Sequence, residues 1–185
     1  YIDLHAGDTS EEVMPFVYYN VAAGEKIARV SANMAMAVDM EVRASSTATT
    51  GAYSSACQRG LPAILMERGG GGRFTDSEVQ AYKQDVKNIM IRMGLLSGEE
   101  VHTVQQKNVT RAEYLEAETD GLWYPVFSAG DTFAGGAVLG TVRDIWGNLL
   151  LEYRADYPGI ILYQTVGLGV KTGDPLIAYG EYVDR

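Results

Sequence analysis

Two short stretches of this chain carry residue types that could do chemistry together. In Tyr1–Asp8, His5 stands two residues after Asp3 at the end of the strand-like segment Tyr1-Ile2-Asp3-Leu4. A histidine there, with a carboxylate close behind it, has the make-up of a metal ligand held in place by a neighbouring acid. In Leu61–Gly72, LPAILMERGGGG, the apolar run Ala63–Met66 ends abruptly in Glu67, followed by Arg68 and four glycines. A short apolar run bounded by Pro and Gly reads as a buried strand, which puts Glu67 at its C-terminal end. Open α/β sheets keep their ligand crevices at that end, and a carboxylate there suits a general base. Each residue alone has a plainer reading, a hydrogen-bonded surface histidine and a strand-end Glu paired with a neighbouring Arg. The coincidence of the two is what points to chemistry.

The surrounding elements follow from pattern. Pro15–Tyr19, PFVYY, reads as a second strand. Val21–Val38 places Ile27, Val30, Met34 and Val38 at helical spacing, with the methionines as core filler. Met40–Val42 reads as a short strand, Ser45–Thr50 as a loop, and Ala52–Arg59 as a short helix closed by Gly60. Gly69–Gly72 invites comparison with a phosphate-binding loop, but no Lys-Ser/Thr follows it. The next helix opens on Thr75-Asp76-Ser77-Glu78, a capping box that uses its own N-terminal amides. Val79, Tyr82, Val86, Ile89, Met90 and Met93 mark one apolar face of that helix, and Gly94 supplies its stop. Ser97–Thr110 is polar and reads as a linker, with His102 a solvated residue within it.

Bulk properties bound the possibilities. The chain has 185 residues, 46% of them hydrophobic and 21% charged, as in an ordinary globular protein. A net charge of −9 and a pI near 4.7 argue against a nucleic-acid partner. No apolar run approaches the ~20 residues of a membrane span, so no membrane partner is expected. Cys57 is the single cysteine, which excludes an internal disulfide and suits a reducing, cytoplasmic setting. The chain opens inside a strand, on Tyr1, and is read as the C-terminal portion of a longer protein.

Beyond Arg111 the composition turns to short β segments punctuated by Gly, and the sequence repeats. Ala117–Val142 and Ala155–Tyr179 align with Gly121 on Gly159, Trp123 on Ile161, Gly136 on Gly173 and Leu139 on Leu176. Two such half-units bury one common core, since neither could alone. Asp144–Asn148 between them reads as a hairpin turn. The expected domains are therefore residues 1–110 and 111–185.

DLHAGD near the start, ILMERGGGG in the middle and GLWYPVFSAGD…GDPLIAYG in the tail resemble the succinylglutamate desuccinylase/aspartoacylase family of zinc amidohydrolases, over essentially the whole chain. The resemblance implies an α/β fold: part of a zinc-carboxypeptidase-like mixed sheet with helices, followed by a small all-β barrel-sandwich-like domain. It also implies that His5 is a zinc ligand and Glu67 the catalytic base. The family's other two protein ligands come from a His-x-x-Glu pair, which occurs nowhere in this chain. The implied activity is hydrolysis of the amide bond of an N-acylated amino acid or similar small molecule in the full-length parent. This piece alone is then expected to hold zinc weakly and to be inactive. A carboxypeptidase-like activity and a non-catalytic binding or assembly module are the alternatives. The tail also resembles biotinyl and lipoyl carrier domains, but the tip Ile145–Asn148 lacks their lysine. A sheet cut in mid-layer exposes an edge that another chain tends to cover, so a homo-oligomer is expected.

Overall fold

The computed structural model describes residues 1–182. In chain order its first elements are β1 (Ile2–His5), β2 (Glu11–Val13), β3 (Phe16–Asn20), α1 (Glu25–Ala35) and β4 (Val42–Ser46). Next come α2 (Ala52–Gln58), β5 (Ile64–Glu67), α3 (Asp76–Arg92), β6 (Lys107–Val109) and β7 (Ala112–Glu116). The remainder is strand: β8 (Gly121–Pro125), β9 (Thr132–Phe133), β10 (Val138–Arg143), β11 (Leu149–Arg154), β12 (Gly159–Thr165), β13 (Gly169–Val170) and β14 (Pro175–Glu181).

These elements form two compact units. The first comprises Tyr1–Ala6, Pro15–Arg68 and Phe74–Thr110; the second takes Gly7–Met14, Gly69–Arg73 and the chain from Arg111 onward. The first unit thus differs from the expected domain 1–110, because Gly7–Met14 and Gly69–Arg73 belong with the later strands. The reason is backbone pairing: β2 lies antiparallel on β12, and Gly71 and Gly72 donate their N–H groups to the carbonyls of Glu11 and Asp8.

In the first unit a mixed sheet runs in the order β1-β5-β3-β4-β6. β1 is parallel to β5, β3 to β4 and β4 to β6, while β3 and β5 are antiparallel. Every residue of β3 is buried, which is why its first four residues, Phe16 to Tyr19, form a continuous apolar run rather than an alternation. Val17, Tyr19, Ile64 and Met66 share one core cluster with Met34 and Ala35 of α1 and Ile89 of α3. The capping box of α3 is formed: Glu78 N–H donates to the Thr75 hydroxyl at 3.2 Å, and Thr75 N–H donates to the Glu78 carboxylate at 2.6 Å. Val79, Met90 and Met93, expected on the buried face of α3, are exposed. Tyr82, Val86 and Ile89 of that face do pack on the core, and beside them α3 buries Asp85 and Asn88, both hydrogen-bonded.

Two stretches differ from expectation. β4 begins where the short strand was expected to end and runs through Ser45 and Ser46, because parallel pairing with β3 supplies their backbone partners. The expected linker Ser97–Thr110 contains β6, the sheet's last strand beside β4. It is tied down along its length by distant side chains. Asp39 accepts the N–H groups of Thr103 (2.7 Å) and Val104 (3.1 Å), and Asn88 exchanges two hydrogen bonds with the backbone of Val101. His102 lies 3.0 Å from Glu100, which Arg92 also holds.

The second unit contains the sheets β11-β10-β8-β13 and β2-β12-β14-β7, with β9 also on β12. Its internal repeat is real at the level of individual pairs. Trp123 faces Val142 across β8 and β10, as Ile161 faces Tyr179 across β12 and β14. The short strands are exchanged reciprocally: Gly121 pairs with Val170 of β13, and Gly159 pairs with Phe133 of β9. Trp123 N–H donates to Leu168 and Ile161 N–H donates to Asp131, the same bond in each half. The matched glycines share a cause. A Cβ on Gly121 would lie 2.7 Å from the Arg143 carbonyl, and one on Gly159 would lie 2.5 Å from the Gly180 carbonyl. β7 and β11 occupy corresponding edges, so the structural repeat begins one strand earlier than the sequence shows. Leu139, Leu176, Trp123 and Ile161 are all buried in the one shared core. The Asp144–Asn148 turn is closed by the Asp144 carboxylate, which accepts the N–H groups of Trp146 and Asn148.

Candidate active site

Local structure brings the two singled-out residues together. β1 and β5 are parallel neighbours, so both end on the same edge of the sheet, and the last pair of their register is His5 with Glu67. Adjacent residues of paired strands point to the same side. His5 Nδ1 lies 3.4 Å from Glu67 Oε1. Asp3, two residues earlier on β1, shares a face with His5 because side chains alternate along a strand. Its Oδ1 lies 3.5 Å from His5 Nε2. The imidazole, about half exposed at 48%, therefore stands between two largely buried carboxylates, Asp3 at 14% and Glu67 at 17%. The second oxygen of Asp3 is buried with no hydrogen-bond partner.

α3 supplies a second layer that the sequence did not single out as functional. Tyr82 and Asp85 lie three residues apart and so share a helix face. The Tyr82 hydroxyl donates to the His5 carbonyl and also lies 3.1 Å from the Met66 carbonyl. Arg68 follows Glu67, donates its backbone N–H to the His5 carbonyl at 3.3 Å, and reaches the Asp85 carboxylate at 2.9 Å. Its guanidinium also lies 5.5 Å from the centre of the Tyr82 ring. Burial, and then the charge of Glu67, push the Tyr82 phenol far above its ordinary value, so it remains a donor. Burial likewise raises the Asp85 carboxyl, against the Asp39 N–H and the Arg68 cation, which favour its ionised form. The only sequence signal for this layer was a tyrosine and an aspartate within a helical repeat otherwise rich in Val, Ile and Met.

The glycine run does not cradle an anion. Gly71 and Gly72 spend their N–H groups on Glu11 and Asp8. A Cβ on Gly70 would lie 2.3 Å from the Glu11 carbonyl, so the glycines allow close backbone approach.

The side chains fit a zinc ion in part. An imidazole whose Nε2 faces Asp3 can keep its proton there and offer the Nδ1 lone pair, as a metal-bound histidine requires. A catalytic zinc usually takes three protein ligands, and among the described residues no cluster of three or more His, Cys, Asp or Glu could hold a metal. The described residues offer one fitting ligand, not a complete set.

Comparison with protein-family models and with curated protein sequences finds no match. Solved structures do match in fold. The product-bound ectoine utilization protein EutE of Ruegeria pomeroyi superposes with a TM-score of 0.86 at 22% identity, over 98% of this chain and 57% of that one. A succinylglutamate desuccinylase/aspartoacylase from Rhodobacter sphaeroides gives 0.83 at 21%, over 98% and 58%. A succinylglutamate desuccinylase from a Silicibacter species gives 0.78 at 24%, over 97% and 57%. This chain thus has the fold of these proteins and spans under three-fifths of their length.

Proposed function

We propose that the protein to which this chain belongs is a zinc-dependent hydrolase that cleaves the amide bond of an N-acylated amino acid or a similar small molecule. One observation carries the reading: His5, backed by Asp3, meets Glu67 at the paired ends of β1 and β5, on the fold of proteins named as desuccinylases and aspartoacylases. Zinc, with His5 as one ligand and the rest from outside this chain, would lower the pKa of bound water toward ~7 and polarise the scissile carbonyl. Glu67 is then the group that takes a proton from water and returns it to the leaving amine. Asp3 holds the proton on the far nitrogen of His5 and keeps the ring oriented. The small-molecule N-acyl amino acid is the only partner proposed besides further copies of the chain in a homo-oligomer, with no nucleic acid and no membrane. The proposed setting is the cytoplasm; no described helix is long and apolar enough to cross a membrane.

The test uses the whole protein, with metal analysis beside a deacylation assay. Glu67→Gln is expected to keep the metal and lose on the order of 10²–10⁴ in rate. His5→Ala is expected to lose metal and activity together. Hydrolysis by Glu67→Gln at the parent's rate would sink the mechanism. Metal and activity both untouched by His5→Ala would remove His5 from the centre, whereas a whole protein that neither holds zinc nor hydrolyses any N-acyl amino acid would favour a binding module.

A further inference from the structure

We propose that Tyr82 is a positioning residue for the candidate centre: its hydroxyl, bridging the ends of β1 and β5, sets the orientation in which His5 and Glu67 face each other. The catalytic consequence rests on the hydrolase reading above; the structural one does not. The His5 carbonyl that Tyr82 binds belongs to the peptide group just after His5, and the Met66 carbonyl to the one just before Glu67. Each peptide group is a rigid plane, so holding these two fixes ψ at His5 and φ at Glu67. Those are the backbone angles that aim the two side chains.

The brace sits at the end of the ladder, where the two strands part from the first unit. The Arg68 N–H to the His5 carbonyl, at 3.3 Å, and the Gly7 N–H to the Gly69 carbonyl, at 3.1 Å, are the closing backbone links there. From Gly7 and Gly69 onward both segments belong to the second unit. Tyr82 is itself held in place. It lies in mid-helix, and its ring lies beside the Arg68 guanidinium, which Asp85 fixes in turn. Phenylalanine would fill the same space and donate nothing.

The experiment compares Tyr82→Phe with the parent and with Glu67→Gln in the whole protein. Loss of the hydroxyl is expected to lower kcat about tenfold to hundredfold, as small misplacements of reacting groups do. KM should stay within about twofold, because substrate contacts are untouched. Independently of activity, amide exchange at Glu67 and Arg68 should quicken about tenfold or more, with Trp123 and Ile161 unchanged as internal controls. Unchanged exchange at Glu67 and Arg68, or an unchanged kcat in an active parent, would overturn the role of Tyr82 and leave the hydrolase reading standing. A parent with no deacylase activity would overturn that reading alone, and the exchange comparison would still decide the brace.

Discussion

The first unit buries Asn20, Ser31, Ser54, Asp85 and Asn88, whereas the described residues of the second bury a single such group, Gln164. In the first unit these groups act as ties. Asn20 holds the carbonyl of Ala48 at 2.6 Å, Ser31 accepts the N–H of Ala63, and Asp85 joins Arg68 to the backbone of Asp39. The second unit is held by ring packing and by its own duplication. Trp123 meets Tyr153 edge-on at 5.6 Å, and Phe133 meets Tyr179 edge-on at 5.4 Å. These ties are spread along the sheet. Asp85 acts beside the candidate site through Arg68, whereas Asn20 and Ser31 act at the opposite ends of β3 and β5, since Phe16 is the residue of β3 paired with Glu67. Buried polar groups that find partners fix geometry at both edges of that sheet, whereas apolar burial and symmetry hold the second unit.

Truncation in the apolar core should break the comparison most visibly. Trp123 is 1% exposed, and its indole N–H donates to the Thr165 carbonyl at 3.1 Å. Trp123→Ala is expected to cost about 3–5 kcal/mol, read as a lowered denaturant midpoint. A loss below about 1 kcal/mol would show that the duplicated unit does not depend on this core.

A charge deletion sharpens the contrast at slightly smaller scale. Asp85→Ala leaves the Arg68 guanidinium largely buried without its partner and is expected to cost about 3 kcal/mol. The exposed pair Arg154–Glu152 of the second unit, though only 2.7 Å apart, should matter little: Glu152→Ala is expected within about 0.5 kcal/mol. Equal losses at both sites would erase the distinction drawn between the units.

The smallest expected effect is a pH dependence in the first unit. Hydrogen bonds from Arg92 hold the Glu100 carboxyl below its ordinary value. A depressed carboxylate contributes stability that is present above its unfolded pKa, near 4.5, and is lost as pH falls through the lower folded value. Glu100→Gln should therefore flatten the acid side of the stability profile by less than about 1 kcal/mol. An unaltered profile would show that this tie contributes nothing at equilibrium.

Much of the fold was legible because it rests on local physics. The apolar run before Glu67, the Thr75–Glu78 capping box and the stop at Gly94 each depend on neighbours a few residues away. The glycine matches of the repeat were readable too, since Gly121 and Gly159 answer the same steric demand. β2 and β6 were not readable. Each is three residues long, and each exists only because a distant strand supplies its hydrogen-bond partners. Tyr82 escaped notice for a related reason. A tyrosine at apolar helical spacing reads as core, and only its hydroxyl's position says otherwise.

The amino-acid sequence determined on its own where α3 starts and stops, that an apolar strand ends at Glu67, which glycines could not carry a side chain, and which residue types were available for chemistry. These are consequences of dihedral preference, capping and side-chain volume, and they act over one or two turns of chain. Tertiary structure alone decided that His5 and Glu67 form the final pair of one parallel ladder, with Asp3 behind the imidazole and Tyr82 across the two strand ends. Strand order and register are selected by which faces become buried together. No stretch of sequence can express that choice before the sheet that makes it has assembled.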